Sequence, residues 1–185
     1  QDAQPLARAL VAGGLPALEI TLRTDAAMEA IAAVAEVEGA MAGVGTLLTT
    51  AQIRDAKSAG ATFGVSPGAT DSIIKAAQDY DLPLLPGAAT ATEAMRLLEQ
   101  GFVFQKFFPA EAAGGAPALG SMAGPLPQIT FCPTGGVTPE NAKTYLALPN
   151  TRCVGGSWIA PKALIDAGDW QQITQIARRA ADLLE

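Results

Sequence analysis

The sequence predicts an α/β fold of parallel strands, because short apolar runs alternate with amphipathic stretches at a nearly constant interval. Successive runs start about 20 to 26 residues apart, the length of one strand, one helix and two connections. Uninterrupted alternation predicts a parallel sheet with right-handed crossovers. We expect one domain over residues 1–185. The predicted strands are Ala17–Leu22, Ala40–Val44, Thr62–Val65, Leu82–Leu85, Phe102–Phe108, Gln128–Cys132 and Thr151–Val154.

Helix start and stop signals follow these runs and support the alternation. The first helix is predicted to stop at Gly13-Gly14, and a closing helix to begin after Asp169. The predicted starts are Thr90 with Glu93 as a capping box, Thr138 before Pro139, and Thr24 or Asp25 ahead of Met28. Each helix is therefore expected to begin soon after a strand ends.

The alternation of side chains in the first run favours a barrel over an open sheet. Leu18, Ile20 and Leu22 share one face of the strand, whereas Glu19 and Arg23 share the other. A strand covered by helices on both sides is apolar on both faces, whereas a barrel strand can turn polar residues toward its lumen and mouth. The interpretation is a (β/α)8 TIM barrel with Glu19 and Arg23 inside. A purely structural ion pair filling the lumen is the alternative.

Seven strands are counted, one fewer than a (β/α)8 barrel contains. The sequence opens on a helix with Leu6, Leu10 and Val11 on its apolar side. We therefore expect a barrel that lacks its first strand in this chain, with a gap between the strands that contain Glu19 and Cys153.

Lys106 lies inside an apolar run, Phe102 to Phe108, where a permanent charge is costly. Burial in this run removes solvent from the lysine side chain and favours its neutral amine. The neutral amine is the form that attacks a carbonyl to make a Schiff base. A lysine that extends from a strand end into solvent is the alternative. The other lysines fall in mixed polar segments.

Composition excludes several classes of function. Histidine is absent, which removes Ser/His/Asp triads, Cys/His dyads and His-ligated zinc. The net charge of −6 gives no basic footprint for nucleic acid, and no apolar run is long enough for a membrane span. A cytoplasmic protein is expected. Cys132 and Cys153 lie in apolar runs typical of buried unpaired thiols rather than of a disulfide or a metal pair.

Two glycine pairs follow the last two predicted strands. Thr134-Gly135-Gly136 comes after the Cys132 run, and Gly155-Gly156-Ser157 after the Cys153 run. In (β/α)8 barrels the loops after the last two strands commonly bind phosphate through backbone N–H groups. Tight turns are the alternative for such pairs.

Six motifs, in order over nearly the whole chain, resemble 2-keto-3-deoxy-6-phosphogluconate (KDPG) aldolase, a class I pyruvate aldolase family of the Entner–Doudoroff pathway. The motifs are LEITLRT (Leu18–Thr24), AGVGTLL (Ala42–Leu48), VSPG (Val65–Gly68), QKFFPAE (Gln105–Glu111), FCPTGG (Phe131–Gly136) and VGGSW (Val154–Trp158).

The resemblance implies Lys106 as the Schiff-base lysine and Glu19 as the general acid/base. It implies substrate-binding roles for the remaining site residues, with no metal and no cofactor. These residues are Arg23, Thr46 and Thr134 around the pyruvate carboxylate and hydroxyl groups, Phe108 as an apolar wall, Pro67 at the mouth, and Gly135, Gly136, Gly155, Gly156 and Ser157 for the phosphate. The implied substrate is a phosphorylated 2-keto acid that yields pyruvate, and 4-hydroxy-2-oxoglutarate is a further candidate. A homotrimer is also implied.

Two positions depart from the family pattern, and other functions stay open. Val44 replaces the usual alanine of a GAGT motif, expected beside the pyruvate pocket, and Gln105 replaces a phenylalanine on the helix side of its strand. The alternatives are a sugar-phosphate isomerase or epimerase on the same fold, a metal-dependent aldolase with ligands such as Glu19 and Glu111, and an inactive truncated or engineered barrel that acts as an assembly subunit.

Overall fold

The computed structural model describes residues 2–184 and contains nine α-helices and seven strands within that range. All strand pairs are parallel. The helices are α1 Ala3–Ala12, α2 Ala27–Ala35, α3 Thr50–Ser58, α4 Asp71–Asp79, α5 Ala91–Glu99, α6 Gly115–Ser121, α7 Pro139–Leu146, α8 Lys162–Ala167 and α9 Trp170–Ala181. The strands are β1 Ala17–Thr21, β2 Met41–Gly45, β3 Phe63–Val65, β4 Leu84–Leu85, β5 Gly87–Ala88, β6 Phe104–Phe107 and β7 Thr130–Pro133.

The strands follow one another around the molecule in sequence order, as β1-β2-β3-β4 and β5-β6-β7. Pro86 separates β4 from β5, and its missing N–H group explains why one barrel position is split into two short strands. The predicted run Thr151–Val154 forms no regular strand. It makes isolated parallel bridges to β7, from Thr151 to Phe131 and from Gly155 to Thr134.

The sheet curls into a barrel, as predicted. Glu19 on β1 approaches Lys106 on β6 to 3.7 Å although several strands separate β1 from β6 in the sheet order. The helices close the same circle, because the Thr174 hydroxyl of α9 donates to Ala9 O of α1 at 3.0 Å. Within residues 2–184, β1 pairs with β2 alone and segment 151–155 bridges β7 alone, so these two segments flank the expected gap.

The apolar core lies between the strands and the surrounding helices, in two clusters. One cluster packs around α1, α2, α3 and α9 and contains Ile31, Ile53 and Ile173, each fully buried. The other packs around α5, α6 and α7, and its Phe107 and Phe131 rings meet edge to face with centroids 6.3 Å apart. None of the helices described between residues 2 and 184 is both long and apolar enough to cross a lipid bilayer.

The predicted helix signals are confirmed except at α2. Thr90 and Thr138 form capping boxes, and the Asp169 carboxylate accepts from Gln172 N at the start of α9. The prediction that Thr24 or Asp25 caps α2 is wrong. Its N-cap is Ala26, in helical conformation and without a side-chain hydrogen bond. The preceding residues form a turn in which Ala27 N donates to Thr24 O.

The Thr90 capping box gives a direct test of the local fold. The Thr90 hydroxyl oxygen accepts from Glu93 N, and the Glu93 carboxylate accepts from the N–H groups of Ala89 and Thr90. We expect Thr90→Ala to lower the free energy of unfolding by about 1 kcal/mol. Thr50→Ala, in the first turn of α3 but not at its cap, is the control. Equal urea midpoints for the two variants would contradict the assignment.

Candidate active site

Lys106 and Glu19 form the centre of the candidate site. Lys106 lies on β6 with only 9% of its side chain exposed, and its Nζ is 3.7 Å from Glu19 Oε1. The Lys106 Nζ atom also lies 5.0 Å from the centroid of the Phe108 ring. Since a buried charge is costly without a partner, the carboxylate and the ring face together make this position tolerable for a lysine.

Glycines on β2 provide the space that Glu19 needs. Register partners in a parallel sheet share a face, so Gly43 opposite Glu19 and Gly45 opposite Thr21 both point into the lumen. A β-carbon at Gly45 would overlap the Glu19 carboxylate, and one at Gly43 would overlap the Phe63 ring. The small residues of the AGVG segment therefore determine where the carboxylate can lie.

Val44 points away from the pocket, contrary to expectation. It pairs with Ile20 and is fully buried in the cluster that faces the helices. The alternation of β2 explains the outcome, because Gly43 and Gly45 face the lumen on either side of it. Gln105 lies on the helix side as predicted, and its side-chain amide donates to Ala94 O of α5 at 3.0 Å.

The apolar and polar walls of the site come from neighbouring loops. The backbone carbonyl of Pro67 lies against Gly87, which is the register partner of Lys106 on β5. Thr46 is half-buried and has a φ of 62°, a left-handed conformation uncommon for threonine. Arg23 is exposed at the end of β1, where its Nε donates to Thr21 Oγ1 at 3.1 Å. All three residues follow the carboxyl ends of their strands, which is the end of a parallel barrel where active sites form.

The loop after β7 continues the wall from Phe108. A β-carbon at Gly135 would lie 3.2 Å from the Phe108 ring, so this glycine lets the loop pack directly on the aromatic side chain. Thr134 packs its methyl group against Gly155, and its buried Oγ1 has no hydrogen-bond partner among residues 2–184. A buried hydroxyl without a partner in the protein can donate to, or accept from, a substrate oxygen.

The two glycine loops contain backbone N–H groups that are free to bind an acceptor. Gly135 and Gly136 have φ values of 94° and 81°, which a larger residue adopts with difficulty. Segment 155–157 lies beside these two glycines, because Gly155 forms a parallel β-bridge with Thr134. The amides of Gly135, Gly136, Gly156 and Ser157 donate to no acceptor in the described part of the chain. Such a group of free amides can bind an anionic oxygen.

Glu111 and Tyr145 support the first of these loops, and no motif in the sequence indicated a role for Tyr145. The fully buried Tyr145 donates its hydroxyl to Glu111 Oε1. Glu111 N donates to Gly135 O at 3.1 Å, and a β-carbon at Gly136 would lie 2.6 Å from Glu111 Cγ. Burial and the neighbouring carboxylate raise the pKa of Tyr145, so it stays a hydrogen-bond donor.

Comparison with known proteins agrees with this arrangement. The family model for KDPG and KHG aldolase matches residues 1–176. The 2-dehydro-3-deoxy-phosphogluconate aldolase of Pseudoalteromonas atlantica is 48% identical over 97% of this chain and 84% of its own. The KHG/KDPG aldolase of Escherichia coli K12 is 48% identical over 98% of this chain and 86% of its own.

Two solved structures share both the fold and nearly half of the sequence. The KDPG aldolase of Zymomonas mobilis ZM4, with 3-phosphoglycerate, has a TM-score of 0.92 and 49% identity over 98% of this chain and 86% of its own. The KDPG aldolase of Legionella pneumophila, with pyruvate captured as a covalent carbinolamine, has a TM-score of 0.93 and 45% identity over 97% and 87%. Together with the match over residues 1–176, these similarities show that the chain belongs to the KDPG and KHG aldolase family.

Proposed function

We propose that this protein is a class I aldolase that cleaves 2-dehydro-3-deoxy-6-phosphogluconate to pyruvate and glyceraldehyde 3-phosphate. The observation that carries the proposal is the Lys106 amino group, enclosed in the barrel beside the Glu19 carboxylate. The pyruvate carbinolamine of the Legionella relative supports covalent chemistry, and 3-phosphoglycerate in the Zymomonas relative supports a ligand that carries a phosphate.

The first step is formation of a Schiff base on Lys106. The neutral amine attacks the C2 ketone of the substrate, and the carbinolamine loses water to give a protonated imine. Glu19 lies close enough to exchange protons with the nitrogen and with the departing oxygen after a small movement from 3.7 Å, or through one water. The enclosed site limits competing hydrolysis of the imine.

The imine then serves as the electron sink for cleavage of the C3–C4 bond. A proton leaves the C4 hydroxyl as that bond breaks, which releases glyceraldehyde 3-phosphate and leaves an enamine on Lys106. Protonation of the enamine at C3 and hydrolysis of the imine release pyruvate. Glu19 is the assigned general acid and base for these transfers. No cofactor is needed, because the lysine supplies the electron sink.

Two anionic ends of the substrate are assigned to opposite parts of the mouth. Arg23, Thr46 and Thr134 bind the carboxylate and hydroxyl end, while Phe108 and Pro67 form the walls beside Lys106. The phosphate is assigned to the amides of Gly135, Gly136 and Gly156, with Ser157 as a hydroxyl donor. Gly155 belongs to the same loop, but its own amide donates to Pro133 O at 3.0 Å. Anchoring both ends holds the C3–C4 bond between Lys106 and Glu19.

The same site accommodates a second, shorter substrate class. 4-Hydroxy-2-oxoglutarate shares the 2-keto acid end and lacks the phosphate, so it requires Lys106 and Glu19 but not the glycine loops. The name of the Escherichia coli relative covers both activities. A homotrimer, implied by the family resemblance, and a cytoplasmic location, expected from the sequence, complete the proposal.

The nucleophile is tested by trapping. Incubation with pyruvate and sodium borohydride should add one reduced pyruvyl group per chain, mapped to Lys106, because the other lysines lie on the helices outside the barrel. Lys106→Met should abolish the adduct and cleavage. Lys75→Met is the control, since Lys75 is an exposed lysine paired with Asp79. Glu19→Gln should still form the adduct but cleave more slowly by roughly 10² to 10⁴.

Two results would contradict the assignment to Lys106. The first is an adduct spread over several lysines. The second is cleavage that survives in Lys106→Met and stops when a chelator is added, which would favour a metal-dependent aldolase.

The phosphate site is tested by comparing two substrates. Ser157→Ala should raise KM for the phosphorylated substrate roughly ten- to a hundredfold, the effect of losing one hydrogen bond to a charged group. Turnover of 4-hydroxy-2-oxoglutarate should stay nearly unchanged, because that substrate does not use the site. Ser58→Ala on α3 is the control. Equal losses on both substrates would show that Ser157 has a structural role instead.

The Tyr145–Glu111 brace is tested by removing one hydroxyl. Tyr145→Phe keeps the buried ring but leaves the loop at Gly136 without its support, so we expect a rise in KM for the phosphorylated substrate and a loss of roughly 1 to 2 kcal/mol in unfolding free energy. The control is Tyr80→Phe, at the exposed end of α4. An unchanged KM with a lower stability would limit the brace to a structural role.

A further inference from the structure

Cys132 and Cys153 lie at the wall of the Lys106 site, and the proposed reaction uses neither thiol. Cys132 is the register partner of Lys106 in the β6–β7 pair and is 7% exposed. Since register partners share a face, the Cys132 side chain points into the lumen beside Lys106. The charges of Lys106 and Glu19 both act on the pKa of the Cys132 thiol, in opposite directions.

Segment 151–155 brings Cys153 to the same face. Its bridges join Thr151 to Phe131 and Gly155 to Thr134, so three residues of the segment lie opposite two residues of β7. The additional residue forms a bulge, which breaks the simple alternation of side chains. Arg152 is exposed, whereas Cys153 is half-buried and lies near enough to Cys132 for each thiol to shift the pKa of the other. Both cysteines are reduced.

The two thiols differ in pKa and in exposure, so they suit different steps of an oxidation. The neighbouring Cys132 thiol lowers the pKa of Cys153, while Cys153 and burial raise the pKa of Cys132. Cys153 is therefore the better nucleophile of the pair, and it is also the more accessible one. Cys132 is placed to attack an oxidised Cys153 rather than to react first with an oxidant.

We propose that Cys132 and Cys153 form a thiol oxidation site, which hydrogen peroxide converts to an intramolecular disulfide that impairs the Lys106 site. In the first step the Cys153 thiolate attacks one peroxide oxygen, the O–O bond breaks, and hydroxide leaves, giving a sulfenic acid. In the second step the Cys132 sulfur attacks the Cys153 sulfur and the S–O bond breaks. The Cys132 proton and the departing hydroxide form water. Two thiols lose two electrons, and peroxide accepts them.

The disulfide would impair the site by moving the two segments that carry the cysteines. Its S–S length is about 2.05 Å, much shorter than a contact between two thiols, so the Cys132 and Cys153 segments must draw together. β7 lies against Lys106 and leads directly into Thr134 and Gly135, so this movement displaces the lysine wall and the glycine loop. This effect on activity rests on the proposed function, whereas disulfide formation does not.

The oxidation site is tested by mass spectrometry of the whole chain after peroxide treatment. Wild type should lose two hydrogen atoms and give one cross-linked peptide that joins Cys132 to Cys153, reversed by dithiothreitol. Cys132→Ser should stop at a Cys153 sulfenic acid that dimedone traps, and Cys153→Ser should give neither product. Absence of the cross-link in wild type, or cross-links only between chains, would overturn the proposal.

The effect on the site is tested by pyruvate trapping on the same samples. Each oxidised protein is compared with its own untreated form. Oxidised wild type should lose roughly tenfold or more of its borohydride-trapped pyruvate and regain it with dithiothreitol, whereas Cys153→Ser should be unaffected by peroxide. A cross-link with undiminished trapping would overturn the inhibitory effect. Absence of trapping before peroxide would instead contradict the proposed function.

Discussion

The approach of Lys106 to Glu19 across the barrel is the constraint on which the rest of the structure depends. A lysine with 9% side-chain exposure is costly unless a carboxylate and an aromatic face compensate for its lost water. These partners come from β1 and from the end of β6, which lie far apart in the sheet order. The sheet must therefore curl, and the packing of α1 on α9 holds the first and last helices on the same circle.

Room for this pair comes from the distribution of small residues around the lumen. On β2 the lumen-facing positions are Gly43 and Gly45, while Val44 between them is fully buried toward the helices. The same strand thus supplies close packing on one side and open space on the other. A β-carbon at Gly45 would displace the Glu19 carboxylate, so the geometry of the candidate site depends on a residue without a side chain.

The mouth of the barrel offers anion-binding groups that do not depend on net charge. The chain carries a net charge of −6, yet the amide dipoles of Gly135, Gly136, Gly156 and Ser157 lie in neighbouring loops and have no acceptors among the described residues. A rigid loop is needed to keep such donors aimed at one point. The buried Tyr145 hydroxyl, through Glu111, supports the backbone of Gly135 and Gly136 from below. The thiols of Cys132 and Cys153 lie under the same loops.

The sequence by itself determined the α/β alternation, the helix starts at Thr90, Thr138 and Asp169, and Lys106 as the candidate reactive lysine. These features are local, since they follow from periodicity, from caps such as Thr90 with Glu93, and from a charge placed inside an apolar run. Only the tertiary structure decided the features that depend on neighbours distant in sequence. These features are the outward direction of Val44, the split of the fourth strand at Pro86, the bulge that brings Cys153 to Cys132, and the contact of Tyr145 with Glu111. The physical reason is that these features depend on the register of paired strands and on the packing of helices. Which residues share a face, and which hydroxyl meets which carboxylate, is determined when strands pair and helices pack, and no single segment carries that information.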